Sequence, residues 1–161
     1  MQKNSDITVP VGDGLVNVRV GAIIKKDGKI LMVRNDSFDY YYSVGGRIKM
    51  GESSEEAVIR EVFEETGIKM KIDHLAYIHE NFFINDSKKY SGMLTYEISF
   101  FYTMKVPENF EPVCNSFTED QSKEHLVWVS ADTAKVIYPA FFQEELINPC
   151  EGVRHIITYD K

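Results

Sequence analysis

Cysteine is scarce in this chain of 161 residues: Cys114 and Cys150 are the only two. They lack metal-ligand spacing, and two lone thiols fit a reducing compartment better than a disulfide framework. Both read as packing residues. Histidine is also sparse. His74, His79, His125 and His155 form no HxxxH pair, which argues against a zinc site. No apolar run approaches the ~20 residues of a membrane helix. No apolar signal-peptide core follows Met1-Gln2-Lys3-Asn4-Ser5-Asp6, so the expectation is a cytoplasmic protein with no membrane partner. Cations are in deficit too: 18 Lys and Arg stand against 25 Asp and Glu, a net charge of −7. Sequence-independent gripping of duplex phosphates needs clustered Lys and Arg, so duplex nucleic acid is excluded as a partner.

What is present is ordinary globular composition, 43% hydrophobic and 27% charged. That excludes disorder and low complexity as descriptions of the whole. The length suits a single domain over residues 1–161, and no repeat or linker interrupts it. Val16, Val18, Val20 and Ala22 alternate through Leu15 to Ile24, the period of a strand. Lys26-Asp27-Gly28-Lys29 predicts a tight hairpin turn. Ile30 to Val33 reads as a short buried strand, and Tyr40 to Val44 as one that stops at Gly45-Gly46. Further strands are expected over Ile72 to Phe83, irregular around His79-Glu80-Asn81, and over Met93 to Met104, Leu126 to Val129 and Val153 to Tyr159. Asn85 to Gly92 is a polar loop, and Pro107 to Lys123 is irregular. Ala131 to Val136 and Ala140 to Ile147 read as helices, the second opened by Pro139 at a favoured first-turn position. The order predicts an α+β domain with a mixed sheet between helices.

One helix carries the unusual charge. Ser53 followed three residues later by Glu56 is a capping-box pattern. The helix it opens runs to about Thr66, with Gly67 as a left-handed stop. Val58, Ile59, Val62 and Phe63 form its apolar arc. Glu61, Glu64 and Glu65 gather on the adjacent arc, because residues three and four apart are neighbours. Two of them lie at the C-terminal end, where the helix dipole disfavours anions. At an effective dielectric of about 20, carboxylates 6 Å apart repel by about 3 kcal/mol. A divalent cation such as magnesium or manganese, which prefers carboxylate oxygens, would remove the conflict. A solvated acidic face is the plain alternative.

Gly46 to Ile68 reads GRIKMGESSEEAVIREVFEETGI. This resembles the Nudix box: Gly, five residues, Glu, seven residues, Arg-Glu, an aliphatic residue, any residue, Glu-Glu, any residue, Gly, and an aliphatic residue. Gly46, Glu52, Arg60, Glu61, Val62, Glu64, Glu65, Gly67 and Ile68 fill all nine fixed positions. The resemblance implies an α/β/α sandwich with a mixed central sheet. It implies that Glu61, Glu64 and Glu65 hold magnesium, with manganese as a substitute, while Glu52 and Arg60 brace the loop against the helix. Glu56, at i−4, is a competing partner for Arg60. Gly45 and Gly46 permit a sharp backbone turn. Many family members carry Pro before the Gly-Gly pair, and Val44 stands there here.

The activity implied is hydrolysis of a nucleoside diphosphate linked to another moiety, by a metal-activated water attacking phosphorus. A small nucleotide is the expected substrate, with a nucleoside triphosphate favoured over ADP-ribose or another nucleotide sugar. The competing readings are a nucleotide-sensing module without turnover and an acidic-faced interaction domain. The general base is open among Glu61, Glu97, Glu80 and the loop residues Glu119 and Glu124. Glu97 stands on the polar face of an otherwise apolar strand, where a lone carboxylate needs a partner. Arg34 and Arg47 offer planar forks for phosphate, and Lys88 and Lys89 sit on a loop that could close over substrate. Tyr40, Tyr41 and Tyr42 offer one ring for stacking on a base, with strand packing as the alternative. Phe82 and Phe83 carry the same two readings. Trp128 reads as a core anchor. A homodimer is the common default for assembly.

Overall fold

The structure is a computed structural model that describes residues 5–112 and 123–160. Cys114, Glu119 and most of the irregular stretch expected from Pro107 lie outside the described residues. The strands are β1 (Thr8–Val11), β2 (Gly14–Ile23), β3 (Lys25–Lys26), β4 (Lys29–Asn35), β5 (Tyr40–Arg47), β6 (Lys71–Ile84), β7 (Leu94–Lys105), β8 (Glu124–Ser130), β9 (Val136–Tyr138) and β10 (Arg154–Tyr159). Helix α1 spans Ser54–Thr66 and α2 spans Phe142–Ile147. No helix among the described residues is long and apolar enough to cross a membrane.

The strands form one mixed sheet in the order β10-β6-β7-β2-β5-β4-β3. β1 joins along β2, β8 along β4 and β9 along β5. β2 with β7, β6 with β10 and β5 with β9 are parallel, and the other pairs are antiparallel. Alternation along β2 sends Val20, Ala22 and partly buried Val18 to one core, with α1 residues Ala57, Val58 and Val62 packed on them. Ile23 goes to a second core on the opposite face, with Met32, Tyr77, Phe101 and α2 residue Phe142. Helices therefore cover both faces, as the α/β/α sandwich requires.

Several elements differ from the sequence expectation for physical reasons. No helix forms over Ala131 to Val136: residues 131–135 hold turns and bends, and Val136 opens β9, because the β-prone triplet Val136 to Tyr138 pairs with Tyr40 to Tyr42. The Tyr138–Pro139 peptide bond is cis. Pro139 does not open α2, whose N-cap is Phe141, two residues further on. β1 contains Pro10, which hid the strand, and it lies at the sheet edge where proline is tolerated. The β6 irregularities lie between Ile72 and His74 and between Leu75 and Tyr77, not at His79 to Asn81. Trp128 is partly buried against the first core, edge-on to Phe110.

Candidate active site

The site is built where β5 meets α1. β5 does not stop at the glycine pair but runs on to Arg47, and Gly45 carries it through at φ +154. A Cβ on Gly45 would stand 2.2 Å from the Val20 carbonyl oxygen of β2, so only glycine lets the two backbones approach. At Gly46 a Cβ would lie 2.4 Å from the Glu61 carboxylate. The missing side chain is therefore the space in which Glu61 sits. Gly45 N–H donates to Glu65 Oε1 at 3.1 Å. Two of the three helix carboxylates are thus seated against the glycine pair.

α1 is held at both ends as its sequence dictates. Ser53 Oγ accepts from Glu56 N–H at 3.1 Å, and Glu56 Oε2 accepts from Ser53 N–H at 2.8 Å. Gly67 closes the helix at φ +77, its N–H donating to Phe63 O. Glu56 is thereby committed to the cap, and Arg60 turns to Glu52 instead. Arg60 Nε donates to Glu52 Oε1 at 2.6 Å and Nη2 to Oε2 at 2.9 Å, a two-pronged pair. Nη2 also donates to Arg47 O at 3.1 Å, and Glu52 Oε2 accepts from Lys49 N–H at 3.0 Å. Arg60 thus fastens the 47–52 loop to the helix. Its Nη1 donates to Glu61 at 2.7 Å and Glu64 at 3.4 Å.

The carboxyl groups divide electrostatically. Arg60 holds the Glu52 carboxyl below its ordinary range. Burial pushes the Glu61 carboxyl up, with Arg60 opposing. Burial pushes Glu65 further, to about 8, and the nearby charges of Glu61 and Glu124 add to it. Glu64 is the exposed member, about half open to solvent. Among the described residues no group of three His, Cys, Asp or Glu side chains is placed to hold a metal ion. The donor chemistry nevertheless suits a hard divalent cation: crowded carboxylate oxygens, one of them held neutral by burial when nothing cationic offsets it.

The other expected residues scatter around this centre. Tyr42 O–H donates to Glu124 Oε1 at 2.5 Å, and Tyr42 is felt by Glu65. Glu124 is thus fixed on β8 next to the helix carboxylates rather than swinging on a loop. Glu97 stands on the sheet face away from α1, where Asn17 Nδ2 donates to it at 3.4 Å. Glu80 lies on β6, bonded to Tyr96 and to His155 at 2.6 Å. Arg34 is exposed and 3.6 Å from Asp36. Arg47 is 3.7 Å from Asp6, and its Nε is buried without a hydrogen-bond partner. Lys88 and Lys89 lie in the loop after β6 and are exposed. Arg19 escaped sequence reading. It is the cross-strand partner of Arg47, and its positive charge reaches Glu61 and Glu65. Its polar position inside an alternating apolar strand was the available signal.

A NUDIX domain model matches residues 15–148. The chain is 40% identical over 67 residues to an ADP-ribose pyrophosphatase of Methanocaldococcus jannaschii, covering 40% of each chain. It is 34% identical over 65 residues to a CTP pyrophosphohydrolase of Escherichia coli, covering 38% of this chain and 48% of that one. The match thus spans less than half the length of these curated relatives. The solved structure of the mutator MutT protein of Bacillus halodurans superposes with a TM-score of 0.60 at 17% identity, covering 86% of this chain and 89% of that one. That likeness supports the shared fold. With the family model matched over most of its length and the box residues assembled at one strand–helix junction, the chain belongs to the Nudix family.

Proposed function

We propose that this protein is a magnesium-dependent Nudix pyrophosphohydrolase acting on a nucleoside diphosphate linked to another moiety. The observation that carries the reading is the seating of Glu61 and Glu65 on the Gly45–Gly46 turn, with Glu64 one face-neighbour away. Glu61, Glu64 and Glu65 would hold the cation. When bound, a divalent ion neutralises phosphate oxygens and acidifies a water nucleophile. Arg60 keeps the carboxylates in place through its fork on Glu52. Glu124, next to Glu65 and oriented by Tyr42, is the favoured proton acceptor over Glu97, which pairs with Asn17 and is not among the charges that act on Glu61 or Glu65.

Arg19 and Arg47 add the anion-binding element. Two guanidinium groups directly across a strand pair repel each other, and a diphosphate between them would turn that repulsion into attraction. The names of the relatives direct the substrate search to ADP-ribose and CTP beside the other nucleoside triphosphates. The test is turnover of these compounds with magnesium and with chelator, products identified by chromatography. A nucleoside monophosphate product that needs the metal is expected. Glu64→Gln is expected to lower kcat by roughly two to three orders of magnitude with an unchanged fold by circular dichroism. Nucleotide binding by calorimetry without any turnover would replace this reading with a sensing module.

A further inference from the structure

The sheet carries a large open apolar face that the proposed chemistry does not use. Register sets one row straight across five strands: Val9 of β1, Val16 of β2, Tyr96 of β7, Phe82 of β6 and Tyr159 of β10. Tyr96, Phe82 and Tyr159 stack in sequence, with ring centroids 4.6 and 5.0 Å apart and planes within 10°. Two residues along each strand the side chains return to the same face. The row on one side brings Val11, Leu94 and Ile84, and the row on the other brings Ile98 and Ile157. Val9, Val11, Ile84, Leu94, Ile157 and Tyr159 are all 46–72% exposed. α1 packs on the same face higher up, over Val20 and Tyr102, and leaves these rows open.

We propose that this face is the interface of a two-fold homodimer, occupied by the same face of a second copy. Three observations select that occupant. The exposed apolar side chains, with the half-buried Tyr96 and Phe82, present roughly 600–800 Å², more than the largest patch of a typical monomer and close to the ~800 Å² per partner of a standard interface. The rows are flat and regular, so a two-fold axis through the middle row lays aromatic stack against apolar strand in the manner of two packed sheets. The chain carries a net charge of −7, so two copies repel except where charge is scarce. Glu80 is the only carboxylate in these rows, and His155 and Tyr96 hold it in hydrogen bonds. The same acidity, and the lack of any Lys or Arg in the rows, disfavours an anionic lipid surface.

The test is the mass of the full chain by sedimentation equilibrium at tens of micromolar, together with Tyr159→Glu and Val11→Glu. These two positions lie at opposite edges of the face and are exposed, so neither variant loses core packing. The expected result is a dimer for the unaltered chain and at least a tenfold weaker dimer for both variants, with unchanged circular dichroism. A monomer at all concentrations overturns the proposal. A dimer that both variants leave intact overturns it as well. The readout is mass, so failure here is distinct from failure of the proposed hydrolysis.

Discussion

Glu65 stands between two demands. Its carboxyl is pressed toward neutrality by burial and by Glu61 and Glu124, yet a cation needs it charged. Its value in the fold is raised to about 8, above the ordinary 4.5 that it has when unfolded. A raised value contributes stability in full below the unfolded pKa and loses it as pH climbs through the folded one. Without metal, stability is therefore expected to decline between about pH 5 and pH 8 from this residue alone. Glu65→Gln removes the charge and keeps the shape. In chelator, its advantage over the unaltered chain should grow across that window to roughly 4 kcal/mol at pH 8. Urea midpoints at pH 5, 6.5 and 8 measure it, and parallel curves for the two proteins would sink the assignment.

At the scale of elements, α1 shows how local chemistry positions remote groups. Its start is fixed by the Ser53–Glu56 box and its end by Gly67, so the three glutamates arrive at the glycine pair by helix phase. Ser53→Ala should cost about 1 kcal/mol, read as a lower melting temperature. Because the cap also sets the phase, a loss of turnover without a change in KM is expected to accompany it. This element's ends were legible in advance because cap and stop lie in consecutive residues. The apolar arc was read partly wrong: Val58 and Val62 are buried with Ala57, whereas Phe63 is 46% exposed. The pairing of Arg60 with Glu52 rather than Glu56 was legible only from the family pattern. On the helix alone both partners were open, and the structure separates them because the box commits Glu56 to Ser53. Glu124 and Arg19 were less legible, since their neighbours come from β5 and α1, far along the chain. β9 was misread because pairing with β5 overrides a weak local helical pattern.

In the whole molecule the second core hides a carboxylate of a different kind. Glu145 of α2 is fully buried, accepting from Lys25 Nζ at 2.7 Å, Tyr77 O–H at 2.6 Å and Cys150 N–H at 2.9 Å. Burial pushes its carboxyl up, but these partners outweigh that and hold it below its ordinary range. A lowered value gives stability above the unfolded pKa that is lost as pH falls through the folded one. Lys25→Met is expected to cost about 3 kcal/mol at pH 7 by leaving a buried charge without its cation. The gap should narrow as pH falls through the folded pKa of Glu145 and its carboxyl takes up a proton, and denaturant midpoints at pH 7 and through the acid range check it. Glu145 joins β3, β6 and α2, so it fastens the two ends of the sheet rather than serving the site. The parallel pairings of the same sheet have a kinetic consequence. Gly14 must find Leu94, Tyr77 must find Arg154 and Tyr40 must find Val136, and each search closes a long loop before any ladder forms. Only α1 and the hairpins of consecutive strands, β1–β2, β3–β4, β4–β5 and the longest, β6–β7, can assemble from near neighbours. Refolding should therefore run in milliseconds to seconds rather than microseconds, with the hairpins and helix ordered before the glycine turn meets its glutamates.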